Sequence, residues 1–381
     1  MSFYYNKYNS IYYNSNDIKD NKNMGNCLFP NDPKGKNKST IKSQYYYENN
    51  SSSADICGIK NYCNNCYFNS GLQIMASCNE FVNELYKIKY PRGIIIYLKD
   101  AIYTLLNKKI YDPENFLNYF CQNNSDFIQG TQCCSQDFIR TLIRNVNSEF
   151  LTENDNSNIV YDNLQSCLQD NENIEYEKFI KLNNLYMESK IQSLFSGITK
   201  SYSLGKCKSC YNNIEKISFK FFIDINIYLD SISGECQFSD VLQSNFGIPD
   251  ELTLECNHCR AENTIKSQTC FIKLPDILIF TIERNLENPD KVSIIPSKTI
   301  NMGKYLDKNL KIDSAEYELF AINIRLGSTI NFGHEICHVK RNQIWYEISD
   351  TFGKKLGTEI PKKYYYDSSY GLFYRKIKKW I

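Results

Sequence analysis

The stretch Gly58–Gln73, GIKNYCNNCYFNSGLQ, places two cysteines, Cys63 and Cys66, in a C-x-x-C spacing just ahead of an apolar helical repeat. Such a pair can hold half of a zinc site, exchange electrons as a dithiol, or contain one nucleophile beside a bystander. Phe68, Leu72, Met75 and Ala76 recur at helical spacing, so a helix begins close to Cys66. Asn64 or Asn65 can cap it, which puts Cys66 in the first turn and Cys63 in the turn before.

Working outward, GIIIYLKDAIYTLL repeats the apolar period at Ile94, Leu98, Ala101, Ile102 and Leu105. YDPENFL opens a third helix, with Asp112 as N-cap and Pro113 at the first helical position. The second half changes period. In KISFKFFIDINIY the residues Ile217, Phe219, Phe221, Ile223, Ile225 and Ile227 alternate with mostly polar neighbours, which predicts one half-buried strand. LPDILIFTIE, YELFAINIRL, HEICHV, IWYEIS and SYGLFYR are short, β-branched or aromatic, and bounded by Gly, Asn, Asp or Ser. The fold class expected is α+β, helices first and antiparallel strands after.

A length of 381 residues fits one large domain or two ordinary ones, and a net charge of +1 gives no general electrostatic case for nucleic acid or an anionic membrane as partner. No run reaches the about 18 to 20 apolar residues that span a bilayer, and MSFYYNKYNSIYYNSN is too polar for a signal peptide. The expected location is therefore the cytoplasm, the nucleus or both. There, the 16 cysteines stay reduced, and C-x-x-C pairs more often bind metal or do chemistry than form disulfides. Residues 1–54, rich in Asn, Tyr, Ser and Lys, are expected to form a disordered extension. Its Lys34, Lys36, Lys38 and Lys42 read as a solvated run with no assigned function.

Two further pairs lie downstream: Cys207 and Cys210 in GKCKSCY, and Cys256 and Cys259 in LECNHCRAE, with 45 residues between Cys210 and Cys256. Two such knuckles supply the four thiolates of a closed structural Zn²⁺ site, the alternative being four unrelated thiols. The intervening strands would be an excursion from a hairpin pinned at its base. His258 lies inside the second knuckle, but Cys259 completes that pair at the better spacing.

Cys63 and Cys66 have no second knuckle unless Cys57 and Cys78 contribute, and no βαβ unit precedes them to favour a redox dithiol. Nucleophile is the reading left, and position favours Cys66, because free N–H groups and the dipole at a helix start favour a thiolate. A thiolate needs a general base held by a third group. With His258 in a knuckle, His334 and His338 remain, both in FGHEICHVK; His334 follows Gly333 at the strand's start, whereas His338 is deeper and expected to pack. Ser349 or Asp350, at the end of QIWYEISD, can accept from the imidazole. Asn61 can donate to an oxyanion or simply form a turn.

These residues resemble a family. GIKNYCNNCYFNSGLQ is similar to the cysteine box of the ubiquitin-specific proteases, GLxNLGNTCYMNSxLQ, and GHEICHVKRNQIWYEISD resembles their histidine box, GHYxAYV followed by WYxFDD. In order, QCCSQDFIRTLI resembles QQDAxEFxxxLL, LFSGITKS and CKSC the lead into the first knuckle, LPDILIFTIER the strand LPxxLxxxLxR, and SSYGLFYRK the closing AYxLFYxR. The resemblance covers about residues 55 to 378.

It implies a papain-like cysteine protease fold over residues 55–381, with a helical thumb (about 55–185), zinc-pinned β fingers (about 186–275) and an antiparallel β palm (about 276–381). By matching position Cys66 is the nucleophile, His334 the base and Asn61 the oxyanion donor, acting on the bond after the C-terminal glycine of ubiquitin. The partners implied are ubiquitin and ubiquitinated proteins; oligomeric state is left open. The alternative is a scaffold of the same fold that holds ubiquitin and cleaves little.

The departures point at that alternative. Ser349 stands where the family has the acid that orients the histidine, with Asp350 next. Cys134 replaces the acid of QQD, while Gln132 is kept and Asp137 stands for the Glu; the resemblance sets these groups against ubiquitin's arginine-containing tail. Cys63 replaces a glycine, and Glu335 and His338 replace aromatic residues.

Overall fold

Helices come first, as the apolar periods require. The structure, a computed structural model, describes residues 56–151, 168, 170–182, 189–229, 232–284, 292–310, 314–327, 333–361 and 368–378; the expected N-terminal extension and its lysine run lie outside these. The first five helices are α1 (Cys66–Ala76), α2 (Asn79–Lys87), α3 (Gly93–Leu106), α4 (Glu114–Asn123) and α5 (Ser135–Leu151). All eleven residues of α1 are buried, so this helix is enclosed on every side rather than along one stripe. Gly71 explains how: a Cβ there would stand 2.4 Å from Phe138 Cδ1 of α5, so only glycine lets the two helices approach so closely. Phe68 packs on Phe138 and Phe116 at ring separations of 4.7 and 5.0 Å, each buried ring contributing roughly 1.5–3 kcal/mol. At α4, Pro113 is the flanking residue and Glu114 the first helical one, one position later than expected. Asp112 Oδ1 still accepts from Glu114 N at 3.2 Å.

The chain continues through α6 (Asp170–Leu182) and α7 (Lys190–Ser193) to β1 (Gly197–Lys206), β2 (Asn213–Phe222), β3 (Ile225–Tyr228) and β4 (Glu235–Gln237). Then come α8 (Phe238–Phe246), β5 (Asp250–Glu255), β6 (Glu262–Lys273), β7 (Ile277–Glu283), β8 (Ser293–Ile295) and β9 (Thr299–Asn301). The last strands are β10 (Glu316–Leu326), β11 (His334–Arg341), β12 (Ile344–Ser349), β13 (Phe352–Gly357) and β14 (Ser369–Lys376). A four-stranded sheet has the order β2-β1-β6-β5, and an eight-stranded sheet runs β13-β12-β11-β10-β14-β7-β3 with β9 beside β10. Pairing is antiparallel throughout, except for β3 with β7 and for the small pair β4 with β8.

The single strand expected from Ile217 to Ile227 is two. It breaks at Ile223–Asp224 and sends β2 to one sheet and β3 to the other. Asp224 is the cause: Arg140 grips its carboxylate twice, at 2.8 and 2.6 Å, and Thr281 donates at 2.8 Å. The apolar alternation runs through the break, so the sequence period does not reveal it.

Both faces of the eight-stranded sheet are buried. Ala321, Cys337, Val339, Ile348 and Phe373 pack against the helices α1–α5. Ile322, Ile324, Ile336, Leu372 and Tyr374 pack on the other side with Phe238, Val241 and Leu242 of α8. The helix α6 lies on the four-stranded sheet, where Tyr176 and Ile180 meet Ile198 and Ile272. No described helix is long and apolar enough to cross a membrane.

Candidate active site and thiolate cluster

The first turn of α1 meets the ends of β11 and β12, and this junction gathers the candidate catalytic residues. Asn65 occupies the N-cap position of α1, yet its side chain does not cap the helix. Its Oδ1 accepts instead from Tyr62 N and Cys63 N, at 2.9 and 3.3 Å, and its Nδ2 donates to Lys60 O and Asn69 Oδ1. Asn64, with φ of 52°, donates to Gly130 O at 2.9 Å. The Asn-rich loop is thus folded on itself and fixes Cys66, which is 5% exposed. Cys63 lies against Gly130, its Sγ 3.7 Å from where a Cβ there would sit.

His334 Nε2 is 2.8 Å from Ser349 Oγ and 3.9 Å from Asp350 Oδ2. Asp350 joins the two halves of the site. Its Oδ2 accepts from Asn61 Nδ2 at 2.9 Å, its Oδ1 from Asn69 Nδ2 at 2.7 Å, and its backbone carbonyl from Ile59 N at 2.8 Å. That carbonyl lies 1.9 Å from any Cβ placed on Gly58, so the glycine opening the quoted stretch is required by close backbone approach. One amide N–H of Asn61 is engaged by Asp350; the other has no partner among the described residues. No hydrogen bond joins Cys66 Sγ to the His334 ring. His338, as expected, is buried and pairs with Glu347 at 3.1 Å.

The surroundings of the thiol pull against the helix start. Burial pushes Cys66 up to about 11, the N–H groups of Glu335 and Tyr67 oppose this only in part, and the carboxylates of Glu335 and Asp350 add to it. Desolvation therefore works against the thiolate more strongly than the helix start favours it.

Gln132 Nε2 donates to Gly333 O, just before His334, while its Oε1 is buried without a partner. Asp137, in the first turn of α5, is exposed and pairs with Arg140 at 2.7 Å. Cys134 donates to Gln136 Oε1 at 2.6 Å. Three residues of the junction were not singled out as site residues: Asn65, Asn69 and Ser135. The first two sit i, i+4 at the head of an apolar helix, a polar pair that the sequence displays.

The four downstream cysteines come together. Their sulfurs all lie within 4.8 Å of one another, with Cys207–Cys259 at 3.5 Å and Cys210–Cys256 at 3.6 Å, and His258 is not among them. Four thiolates about 2.3 Å from one ion stand roughly 3.8 Å apart in a tetrahedron, so the donor set fits zinc. The knuckles repeat one geometry: Cys207 O accepts from Tyr211 N and Cys256 O from Arg260 N, at 3.0 and 2.9 Å, and both donors have φ near +60°. Backbone N–H groups hold Cys207 and Cys210 below the ordinary thiol range. The knuckles are the turns β1–β2 and β5–β6, so the cluster clasps two hairpin tips rather than the base of one hairpin.

Comparison with known proteins agrees with this architecture. The family model "Ubiquitin carboxyl-terminal hydrolase" matches residues 57–374. Over 379 aligned residues the chain is 24% identical to the probable ubiquitin carboxyl-terminal hydrolase 4 of Schizosaccharomyces pombe, covering 89% of this chain and 61% of that relative. Over 366 it is 21% identical to the ubiquitin carboxyl-terminal hydrolase 12 of Salmo salar, covering 90% and 95%. Among solved structures, the SAGA DUB module Ubp8/Sgf11/Sus1/Sgf73 bound to monoubiquitin has the same fold, with a TM-score of 0.63, 18% identity and coverage of 85% and 69%. The same module bound to ubiquitin aldehyde gives 0.62, with 18% identity and coverage of 85% and 70%. With the family model matching over most of its length, the chain belongs to the ubiquitin carboxyl-terminal hydrolase family.

Proposed function

We propose that the chain is a cysteine-type deubiquitinase that hydrolyses the bond after the C-terminal glycine of ubiquitin. The observation that carries this reading is Asp350, which ties the loop of Asn61 and Cys66 to the strand end that holds His334. In the reaction, His334 takes the Cys66 proton on Nδ1, the nitrogen that Ser349 leaves unengaged. The thiolate attacks the glycine carbonyl, the second amide N–H of Asn61 meets the oxyanion, and the imidazolium protonates the departing lysine amine. Water, activated by His334, then hydrolyses the thioester. Ser349 orients the imidazole and Asp350 holds the oxyanion donor, while Gln132 and Asp137 face the ubiquitin tail.

In this reading residues 1–54 are an extension and 55–381 the catalytic domain. The α1–α5 part is the thumb, the four-stranded sheet the fingers, and the eight-stranded sheet the palm. Zn²⁺ held by Cys207, Cys210, Cys256 and Cys259 cross-links the fingertips. The protein acts in the cytoplasm or nucleus, where its thiols stay reduced.

A ubiquitin carrying a C-terminal electrophile tests the reading. The expected result is an adduct that Cys66→Ala abolishes and Cys63→Ser leaves intact. No adduct on the parent protein leaves the scaffold reading standing, and loss of the adduct in Cys63→Ser points to dithiol chemistry.

A further inference from the structure

The residue after His334 is a carboxylate for which the proposed chemistry has no use. Glu335 is 3% exposed, where an unpaired charge would be costly. It is instead surrounded by donors from several elements. Oε2 accepts from the backbone N–H of Ser135, the first residue of the 17-residue helix α5, at 3.1 Å. Ser135 Oγ reaches the same oxygen and also Tyr67 O of α1. From β10, Asn323 Nδ2 donates to Oε2 at 3.3 Å, and Arg325 Nη1 stands 3.5 Å from Oε1. The Glu335 backbone carbonyl accepts from Ser70 Oγ of α1 at 2.9 Å, and its backbone N–H faces the Cys66 sulfur. Burial pushes the Glu335 carboxyl up, and the Ser135 and Asn323 hydrogen bonds with the Arg325 charge offset this only in part. One residue therefore touches both helices whose first turns line the cleft, and it is the chain neighbour of the base.

We infer that Glu335 is a positioning residue for the Cys66–His334 pair: its carboxylate ties the start of β11 to the first turn of α5 and, through Ser135, to Tyr67 of α1, and sets a negative charge behind the thiol. This rests on reading Cys66 and His334 as nucleophile and base. The charge opposes a free thiolate at Cys66, so the thiol is expected to lose its proton as His334 takes it up rather than beforehand. Other groups facing this spot are Asp350 beyond β12, Arg325 on β10, Cys133 and Cys134 in the α4–α5 loop, and Asp137 on α5.

Glu335→Gln keeps the volume and removes the charge. Two readouts are taken on the full chain: the pH profile of Cys66 alkylation by iodoacetamide, followed by peptide mass, and kcat and KM on a fluorogenic ubiquitin C-terminal amide. The alkylation midpoint is expected to move to lower pH, with kcat down about 10- to 100-fold and KM within about threefold. A folded Gln variant whose alkylation profile superimposes on the parent's overturns the inference. Glu335→Asp keeps the charge and shortens the reach, so it is expected to hold the parent's alkylation profile with kcat still reduced. Should the Gln variant fail to fold, the Asp variant carries the test, and a parental kcat in it overturns the inference. Alkylation needs no ubiquitin, so a parent protein that hydrolyses nothing sinks the deubiquitinase reading and leaves this comparison readable.

Discussion

His334 has a hydroxyl as its direct partner, Ser349 Oγ at 2.8 Å, while the nearest carboxylate, Asp350, stands 3.9 Å off and gives its oxygens to Asn61 and Asn69. A hydroxyl fixes the ring's direction but offers an imidazolium no countercharge, whereas Asp350 supplies charge and anchors Asn61, the proposed oxyanion donor. Ser349→Ala is therefore expected to lower kcat about tenfold, and Asp350→Ala about a hundredfold. The Asp350 variant alone should also lose stability, about 1–3 kcal/mol, because the buried Asn69 amide loses its shortest hydrogen bond, at 2.7 Å, and keeps only the longer ones to Ile59 O and Lys60 O. Steady-state kinetics beside urea melts separate the two, and equal losses in both would sink this division of roles. The candidate residues were legible because chemistry limited them: three histidines, one C-x-x-C pair without a mate, and an Asn and a Ser-Asp at useful distances. The protonation state of Cys66 was not legible. Position at a helix start predicts a thiolate, but all of α1 is enclosed, and burial depends on what packs above the helix, which no local pattern records.

At the scale of elements, the break between β2 and β3 turns on Asp224. Burial pushes its carboxyl up, but the Arg140 hydrogen bonds and charge, with Thr281, outweigh this and hold it below the ordinary value of 3.8. Removing one partner of a buried pair costs about 3–5 kcal/mol; because Arg140 keeps 26% exposure, Asp224→Asn is expected to cost about 2–3. The sign of the pH dependence follows from the depressed pKa. The contribution is fully present above 3.8 and is lost as pH falls through the lower folded-state value, since the unfolded chain takes up the proton first. Urea melts at pH 7 and pH 3 check this: the deficit of the Asn variant should be clear at pH 7 and smaller at pH 3. A deficit that does not shrink would mean that shape, not charge, makes the break. The strands and first helices could be read because apolar period survives in short windows. The break could not, because it is made by a residue of α5 reaching across the chain, and the first turn of α5, with Cys134 just before it, carries the Ser135 and Gln136 contacts that mark the cleft.

Across the whole molecule, the two sheets differ in what holds them. The eight-stranded sheet is buried on both faces, whereas among the described residues the far end of the four-stranded sheet has Cys207, Ile214, Cys256 and Ile265 as its buried cluster, with Cys210, Leu254 and Ala261 partly buried against it. So few side chains cannot close two hairpin tips, and β5 at the edge is exposed along most of its length. Four thiolates drawn together there without a cation would repel one another, so in the proposed reading the clasp depends on the metal it could hold. Cys207→Ser with Cys256→Ser, or exhaustive chelation, is therefore expected to release zinc and raise hydrogen exchange in β1, β2, β5 and β6. Exchange in α1 and β11 should stay near the parental rates, because their contacts lie in the other core. A small thiol reagent should still find Cys66 in such a protein, while adduct formation with a ubiquitin electrophile is expected to slow, since in the proposed reading only the latter engages the four-stranded sheet. Unchanged metal content by elemental analysis would remove zinc from the account. Exchange that rises everywhere would instead mean that the clasp supports the whole chain, making the fingers part of its folding unit rather than an arm built on a finished one.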